Sequence, residues 1–241
     1  MKNSITKSIA ILFIAALFTS CGVDMFNRIN GNRNVITQTR KTTDSFTGIK
    51  VSTGIDLYIT QGDRNKVKVE ADENLHDIII TEVIDGVLKV YSEKNIWRAK
   101  ARKVHVIFKD LNMLRATSGS DVYTRGIVTT DEISISATSG ADIRISVDAT
   151  SVETSSTSGS DIRITGKTVN HASSATSGAS IDAYDLESKN VLAKATSGAD
   201  INIYASEKLD AKATSGGDID FKGNPKKVNK KSSSGGDVSR K

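Results

Sequence analysis

A single cysteine, a single proline and a single tryptophan stand in 241 residues, with aromatics at 5%. One cysteine excludes a disulfide framework. One proline and 18 glycines exclude collagen-like and proline-rich disordered classes. Only one uninterrupted apolar stretch occurs, Ile9 to Phe18, so a multi-span membrane protein is excluded as well. The formal charge of +5 comes from the two ends. Lys2 and Lys7 precede the apolar run, and the charged residues from Lys222 onward are all basic apart from Asp237. The body between is net acidic, whereas a nucleic-acid protein carries its basic face across the body. No nucleic-acid partner is expected.

What the chain does have begins at its N-terminus. Two lysines, a short apolar run and the small residues Thr19 and Ser20 have the layout of a secretory signal, too short to span a bilayer. Leu17-Phe18-Thr19-Ser20-Cys21-Gly22 then resembles the lipobox of bacterial lipoproteins, with Phe18 in place of the usual aliphatic residue. That resemblance implies cleavage before Cys21, acylation of its thiol and α-amine with fatty acids such as palmitate, and an outer-membrane anchor through several acyl chains. Residues 1–20 are thus read as a signal peptide and 21–34 as lipidated Cys21 plus a tether. No acidic run follows Cys21, so periplasmic and surface-facing orientations both stay open.

A repeat organises the second half. Thr117-Ser118-Gly119-Ser120-Asp121 returns around Gly140, Gly159, Gly178, Gly198, Gly216 and Gly235, at spacings of 21, 19, 19, 20, 18 and 19 residues. The segments between alternate with period two, the strand signal. Ile133, Ile135, Ala137, Ser139, Ala141, Ile143 and Ile145 share one parity, read as inward, and Thr138 and Asp142 share the other. Small residues on both sides of each glycine suggest a narrow waist. Like residues stacking at a fixed period describe a β-solenoid with coils of about 19 residues. Residues 111–241 are assigned to these coils, with a basic C-terminal cap where Lys230 and Arg240 take nominally inward places. Residues 35–110 are strand-rich but irregular, with Ile49, Val51, Ile55, Leu57, Ile59, Val67 and Val69 as inward candidates and Asp85-Gly86 as a hairpin turn. Ser52-Thr53-Gly54-Ile55-Asp56 resembles the later copies and offers an earlier start for the coils.

Gly54-Ile55-Asp56-Leu57-Tyr58, the segment Asn74 to Tyr91 and the Ser-Gly-x-Asp coils together resemble the head-GIN domain family, labelled auto-transporter adhesins, over roughly residues 40–237. Asp56 stands where a literal Gly-Ile-Asn would have Asn. The resemblance implies an all-β, right-handed single-stranded β-helix, an exported location in the cell envelope and a display or adhesion role, and it brings no catalytic residues.

Residue chemistry points the same way. His76, His105 and His171 lack metal-ligand spacing, and His171 falls in an inward column as a hydrogen-bonded structural residue. The Ser-Gly pairs lack the strand-turn-helix context of a nucleophile elbow. Asp121, Asp142, Asp161, Asp200 and Asp218 stack at the outward parity, interrupted by Ser180, and form the candidate binding face. Unscreened, charges ~4.8 Å apart in water repel by roughly 0.9 kcal/mol per pair. Hydrogen bonds from turn N–H groups and Thr hydroxyls, with Arg144 and Arg163 nearby, are expected to offset this, and calcium is the competing explanation. An ice-binding Thr array (Thr117, Thr138 and their successors) is broken by the Asp column. Glycan binding through stacked aromatics has only Trp97 as a tryptophan to offer. The expected protein is a non-enzymatic binding scaffold with no cofactor or metal, contacting the membrane by its anchor and a surface protein or glycan by its face. The alternatives are a polysaccharide-processing enzyme built on Arg144, Arg163, Asp142 and Asp161, or an envelope structural or signalling module.

Overall fold

The computed structural model describes residues 28–41 and 45–241. The signal segment and Cys21 lie outside the described residues. Strand β1 (Arg28–Asn30) pairs with β8 (Asn95–Arg98) in a small separate sheet, and every other strand belongs to one sheet of sixteen. A single 3-10 turn, Glu73–Leu75, is the helical element among the described residues.

The irregular part comprises β2 (Val35–Arg40), β3 (Gly48–Val51), β4 (Asp56–Gln61), β5 (Lys66–Asp72), β6 (Ile79–Ile84), β7 (Val87–Ser92) and β9 (Arg102–Phe108). Strands β6 and β7 form an antiparallel hairpin around Asp85 and Gly86, both at positive φ, as the Asp-Gly pair predicts. Strand β5 pairs antiparallel with both β2 and β9. The buried carboxylate of Asp72 accepts backbone N–H bonds from Arg33, Lys100 and Ala101 and so ties this region together.

The regular coils follow. Strands β10 (Met113–Thr117), β11 (Asp121–Thr138), β12 (Asp142–Thr157), β13 (Asp161–Thr176), β14 (Ser180–Thr196), β15 (Asp200–Thr214), β16 (Asp218–Lys222), β17 (Lys227–Ser233) and β18 (Asp237–Arg240) stack in parallel. From β11 to β16 each rests on the one before, β17 rests on β15 beside β16, and β18 rests on β16. The parallel ladder does not stop at residue 111. Strand β10 stacks on β3, and β11 on β4, so the Ser52–Asp56 copy is continuous with the coils.

Alternation places Val122, Ile143, Ile162, Ile181, Ile201 and Ile219 fully inside, one above another. Ser139 departs from the expected parity. It is exposed at φ +56, and the glycine after it has φ +68. Every Ser-Gly pair does the same, with φ of 52 to 57 at the serine and 65 to 76 at the glycine, and Thr53-Gly54 matches at 60 and 70. Two consecutive left-handed residues make a tight corner of the primed type, and that corner consumes the alternation. Only the residue after the glycine turns inward again, as Ser120, Ala141, Ser160, Ala179 and Ala199 do, so the narrow waist has one small residue per coil there rather than two.

The corner also joins neighbouring coils. Each corner glycine from Gly54 to Gly216 donates its N–H to the serine carbonyl of the next coil at 3.0–3.2 Å. Each residue two further on, from Asp121 to Asp237, donates to the preceding coil at 2.9–3.3 Å. At the far end Lys230 stacks under Ala211, its Nζ 4.6 Å from the Phe221 ring and 3.3 Å from the Val238 carbonyl, and so covers the last apolar layer.

Candidate functional site

The outward positions of the sheet fall into rows that run along the solenoid axis, because strands pair in register. One row reads Glu70, Lys103, Asp56, Asp121, Asp142, Asp161, Ser180, Asp200, Asp218 and Asp237. Two residues along each strand, a second row begins Lys68, His105, Tyr58, Tyr123, Arg144, Arg163 and Asp182. The two rows are roughly 7 Å apart.

All five predicted face residues, Asp121, Asp142, Asp161, Asp200 and Asp218, therefore stand in one column. The hydrogen bonds expected to offset their repulsion are mostly not made. Among the described residues, the bonds that reach the column are Asp237 N–H to Asp218 Oδ1 at 3.2 Å and Ser239 Oγ to Asp237 Oδ2 at 2.8 Å. The physical reason is that the corner N–H groups are already committed to the ladder between coils. Burial, followed by the charges of Asp142 and Asp56, raises the Asp121 carboxyl above its ordinary value. Burial and then Asp142 raise Asp161. Burial also raises Asp56, against the opposing pull of Arg102 and Lys103. No group of three or more His, Cys, Asp or Glu comes together at metal-binding distance among the described residues. The Thr column is in register too, half-buried, with a 3.1 Å bond from Thr214 to Thr196.

Of the two arginines expected to help the Asp column, Arg144 opposes the burial and the acidic neighbours that raise the Asp121 carboxyl, while Arg163 is engaged elsewhere. Arg163 points to the next coil, with Asp182 and Asp185 each 3.8 Å away. Arg144 lies over the Tyr123 ring at 5.5 Å. His171 is buried as expected, and Trp97 is exposed on the small sheet with Arg28 at 4.2 Å, away from this face.

The second row holds what the sequence reading missed. Tyr58 and Tyr123, brought together because β11 stacks on β4, lie with ring centroids 5.3 Å apart and planes within 20°. His105 stacks on the other side of Tyr58, also at 5.3 Å. The ladder is thus His105, Tyr58, Tyr123, Arg144. Its rings cover one another's faces and present phenolic edges outward. Burial, followed by the Asp121 charge, raises the Tyr123 phenol.

Above this ladder the coil is interrupted. Between Tyr123 and Ile127 strand β11 carries Thr124, Arg125 and Gly126 opposite the single Ile145. Gly126 takes φ +89, and the Thr124 hydroxyl accepts the Ser146 N–H at 3.1 Å, replacing a ladder bond. The bulge sets the Arg125 guanidinium 5.3 Å from the Tyr58 ring. Beside it is a groove of about 360 Å³ whose lining includes Tyr58, His105, Lys66, Lys68, Glu70 and Arg125. Glu70 is engaged by His105 at 2.9 Å and Lys103 at 3.9 Å, which leaves the groove cationic. Two signals for this site were present in the sequence: the 21-residue spacing from Gly119 to Gly140, and the matched Asp56-Leu57-Tyr58 and Asp121-Val122-Tyr123.

Known proteins bear on this fold. A crystal structure described as a "putative adhesin" from Bacteroides fragilis is 22% identical, with a TM-score of 0.79 over 88% of this chain and 100% of that one. A "putative lipid binding protein" from Parabacteroides distasonis is 20% identical at a TM-score of 0.73, covering 89% of this chain and 99% of that one. A "putative adhesin" from Parabacteroides merdae is 22% identical at 0.72, again over 89% and 99%. These likenesses establish the fold. No curated protein matches the chain. Residues 45–225 match the family model described as "Putative auto-transporter adhesin, head GIN domain", and the chain belongs to the head GIN domain family.

Proposed function

We propose that the protein is an exported, lipid-anchored β-solenoid of the outer membrane that binds or adheres through its flat outward face and catalyses nothing. The coils break register at Tyr123–Ile127, at Arg163–Gly166 and at Ala183–Asn190, and the observation that carries this reading is the first of these breaks, which adjoins the stacked tyrosines. A bulge is inserted where it brings Arg125 onto Tyr58 beside a cationic groove. Insertions in solenoids map to loops on one face, which is often the binding face. The family description and the neighbours described as adhesins support a binding role over a catalytic one. So does the use of Arg163 on Asp182 and Asp185, which leaves the Asp142–Asp161 pair without a base in contact. Cys21 supplies the membrane contact.

Two experiments test this. Cells carrying Cys21→Ala should lose acyl labelling of the protein and release it from the membrane fraction; a variant that stays labelled and membrane-bound overturns the anchor. Cells displaying the wild type should attach to a host-glycan or matrix-protein surface. Tyr123→Ala with Arg125→Ala should lower attachment roughly tenfold, about the worth of one charge-assisted contact. Equal attachment by this variant removes the face from the reading, and polysaccharide turnover by purified protein removes its non-catalytic part.

A further inference from the structure

Resting on the reading of this face as the binding surface, we propose that its ligand is an acidic polysaccharide chain laid along the solenoid axis. Lys68, Arg125 and Arg144 hold its carboxylates, and the phenols of Tyr58 and Tyr123 hydrogen-bond its oxygens.

The first argument is spacing. The row Lys68, His105, Tyr58, Tyr123, Arg144 crosses four strand-to-strand steps of about 4.8 Å, roughly 19 Å in all. One such step is close to the advance of one pyranose unit in an extended glycan, so polar groups on successive strands meet successive sugars.

The second is charge. Lys66, Lys68 and Arg125 line the groove, and the one carboxylate there, Glu70, is paired. Arg144 continues the positive row past Tyr123. Guanidinium and ammonium groups bind carboxylate with charge-assisted bonds stronger than neutral ones.

The third is the form of the aromatic ladder. Tyr58 is stacked between His105 and Tyr123 at 5.3 Å, and Arg144 lies over Tyr123 at 5.5 Å, so neither tyrosine offers an open face as a platform for an apolar ligand. The phenolic edges suit an oxygen-rich partner.

The fourth is the neighbouring Asp row, roughly 7 Å to the side. A flat anionic bilayer or a duplex would cover both rows and meet Asp56, Asp121 and Asp142 along with the arginines. A single polymer strand covers the cationic row alone.

The test uses the full chain in detergent micelles, titrated calorimetrically with a polygalacturonate oligomer. Fully methyl-esterified oligomer has the same backbone without charge. Binding is expected to polygalacturonate, to weaken roughly tenfold or more on esterification and in Lys68→Gln with Arg125→Gln, and to weaken with added salt. Tyr123→Phe, which keeps the ring and its stacking, should weaken binding less than the double charge variant. Lys212→Gln, which removes an exposed cation of β15 that lies in neither row, should leave it unchanged. No binding, equal binding of the ester, or full binding by the double variant overturns the proposal. So does equally tight, Arg125-dependent binding of phosphatidylglycerol vesicles, which would make the partner a membrane surface. If polygalacturonate fails while cell attachment still depends on Tyr123 and Arg125, the ligand class falls and the binding face stands.

Discussion

The Nε2 of His171 lies 2.9 Å from the hydroxyl of Thr154 in the preceding coil, both sealed inside the solenoid. Thr154 donates its own proton to Ser173 Oγ at 3.1 Å, so it accepts from Nε2–H. Nδ1 is then the bare nitrogen, and it has no partner.

Protonating that nitrogen would bury a cation, and burial pushes the His171 imidazole down to about 4 from an ordinary 6.5. The folded pKa is the lower one, so the unfolded chain takes up the proton first. Stability is untouched above pH 6.5 and is lost as pH falls toward 4, by roughly 3 kcal/mol in total. The raised carboxyls of Asp121 and Asp161 act with the opposite sign, since the folded state holds their protons more tightly. Comparing urea midpoints of wild type and His171→Val from pH 7 to pH 4 isolates the histidine, because Val152 and Val191 already occupy its column. The variant should lose less stability on acidification; parallel curves would refute the buried neutral imidazole.

The Asp column should be relieved by neutralisation. Asp121→Asn removes a charge facing Asp56 and Asp142 and loses no hydrogen bond found among the described residues. A gain of a few tenths of a kcal/mol is expected after allowing for solvent screening, read as a small rise in melting temperature. The effect should shrink in high salt. A drop in stability, or a melt that climbs steadily with millimolar calcium after chelator treatment, would mean that the carboxylates are bridged instead of repelling.

The corners carry backbone strain of a predictable kind. Ser158 sits at φ +57, where a non-glycine residue pays roughly 1 kcal/mol. Ser158→Val should destabilise by about 1–2 kcal/mol more, since a β-branched side chain tolerates that region least, whereas Ser158→Asn should be neutral or better. Chemical denaturation of the pair decides it, and a wild-type midpoint for the valine variant would count against the left-handed corner.

Inside the stack, Ile143→Asp or Ile162→Asp buries a carboxylate at positions 1% exposed, at a cost of several kcal/mol. Coils touch mainly their neighbours, so hydrogen exchange should rise first in the mutated coil and those flanking it. Uniform protection with an unchanged melt would contradict the inward assignment.

The coil period, the columns through Ile143 and Ile162 and the corner motif were legible in the sequence, because a stack repeats its demands every turn and leaves them in the spelling. Ser139 was misplaced because two-residue alternation carries no mark of where a left-handed corner interrupts it. The Tyr58–Tyr123 stack was hidden for another reason. It depends on β11 resting on β4 although six strands intervene in sequence, and its one trace is the match of Asp56-Leu57-Tyr58 to Asp121-Val122-Tyr123, which does not say that the two segments touch. The expected caps on the Asp residues failed because the donors imagined for them serve the bonds between coils. Arg125 left a trace in the 21-residue spacing, but a bulge's length does not tell where its side chain aims.

Lys230, lying across Phe221 at the last coil, bears on how the stack ends as a polymerisation problem. A terminal coil exposes a parallel strand edge, a template on which another chain could add without limit. Here the lip of that template is Lys227, Lys230, Lys231, Arg240 and Lys241, with Asp237 the lone acid at its corner. Two such ends brought together would repel, and a strand adding there would first have to displace an ammonium group from the apolar layer it shields. Charge at this rim therefore opposes edge-to-edge addition: the ladder that joins one coil to the next meets lysine where the column holds alanine in the coil before.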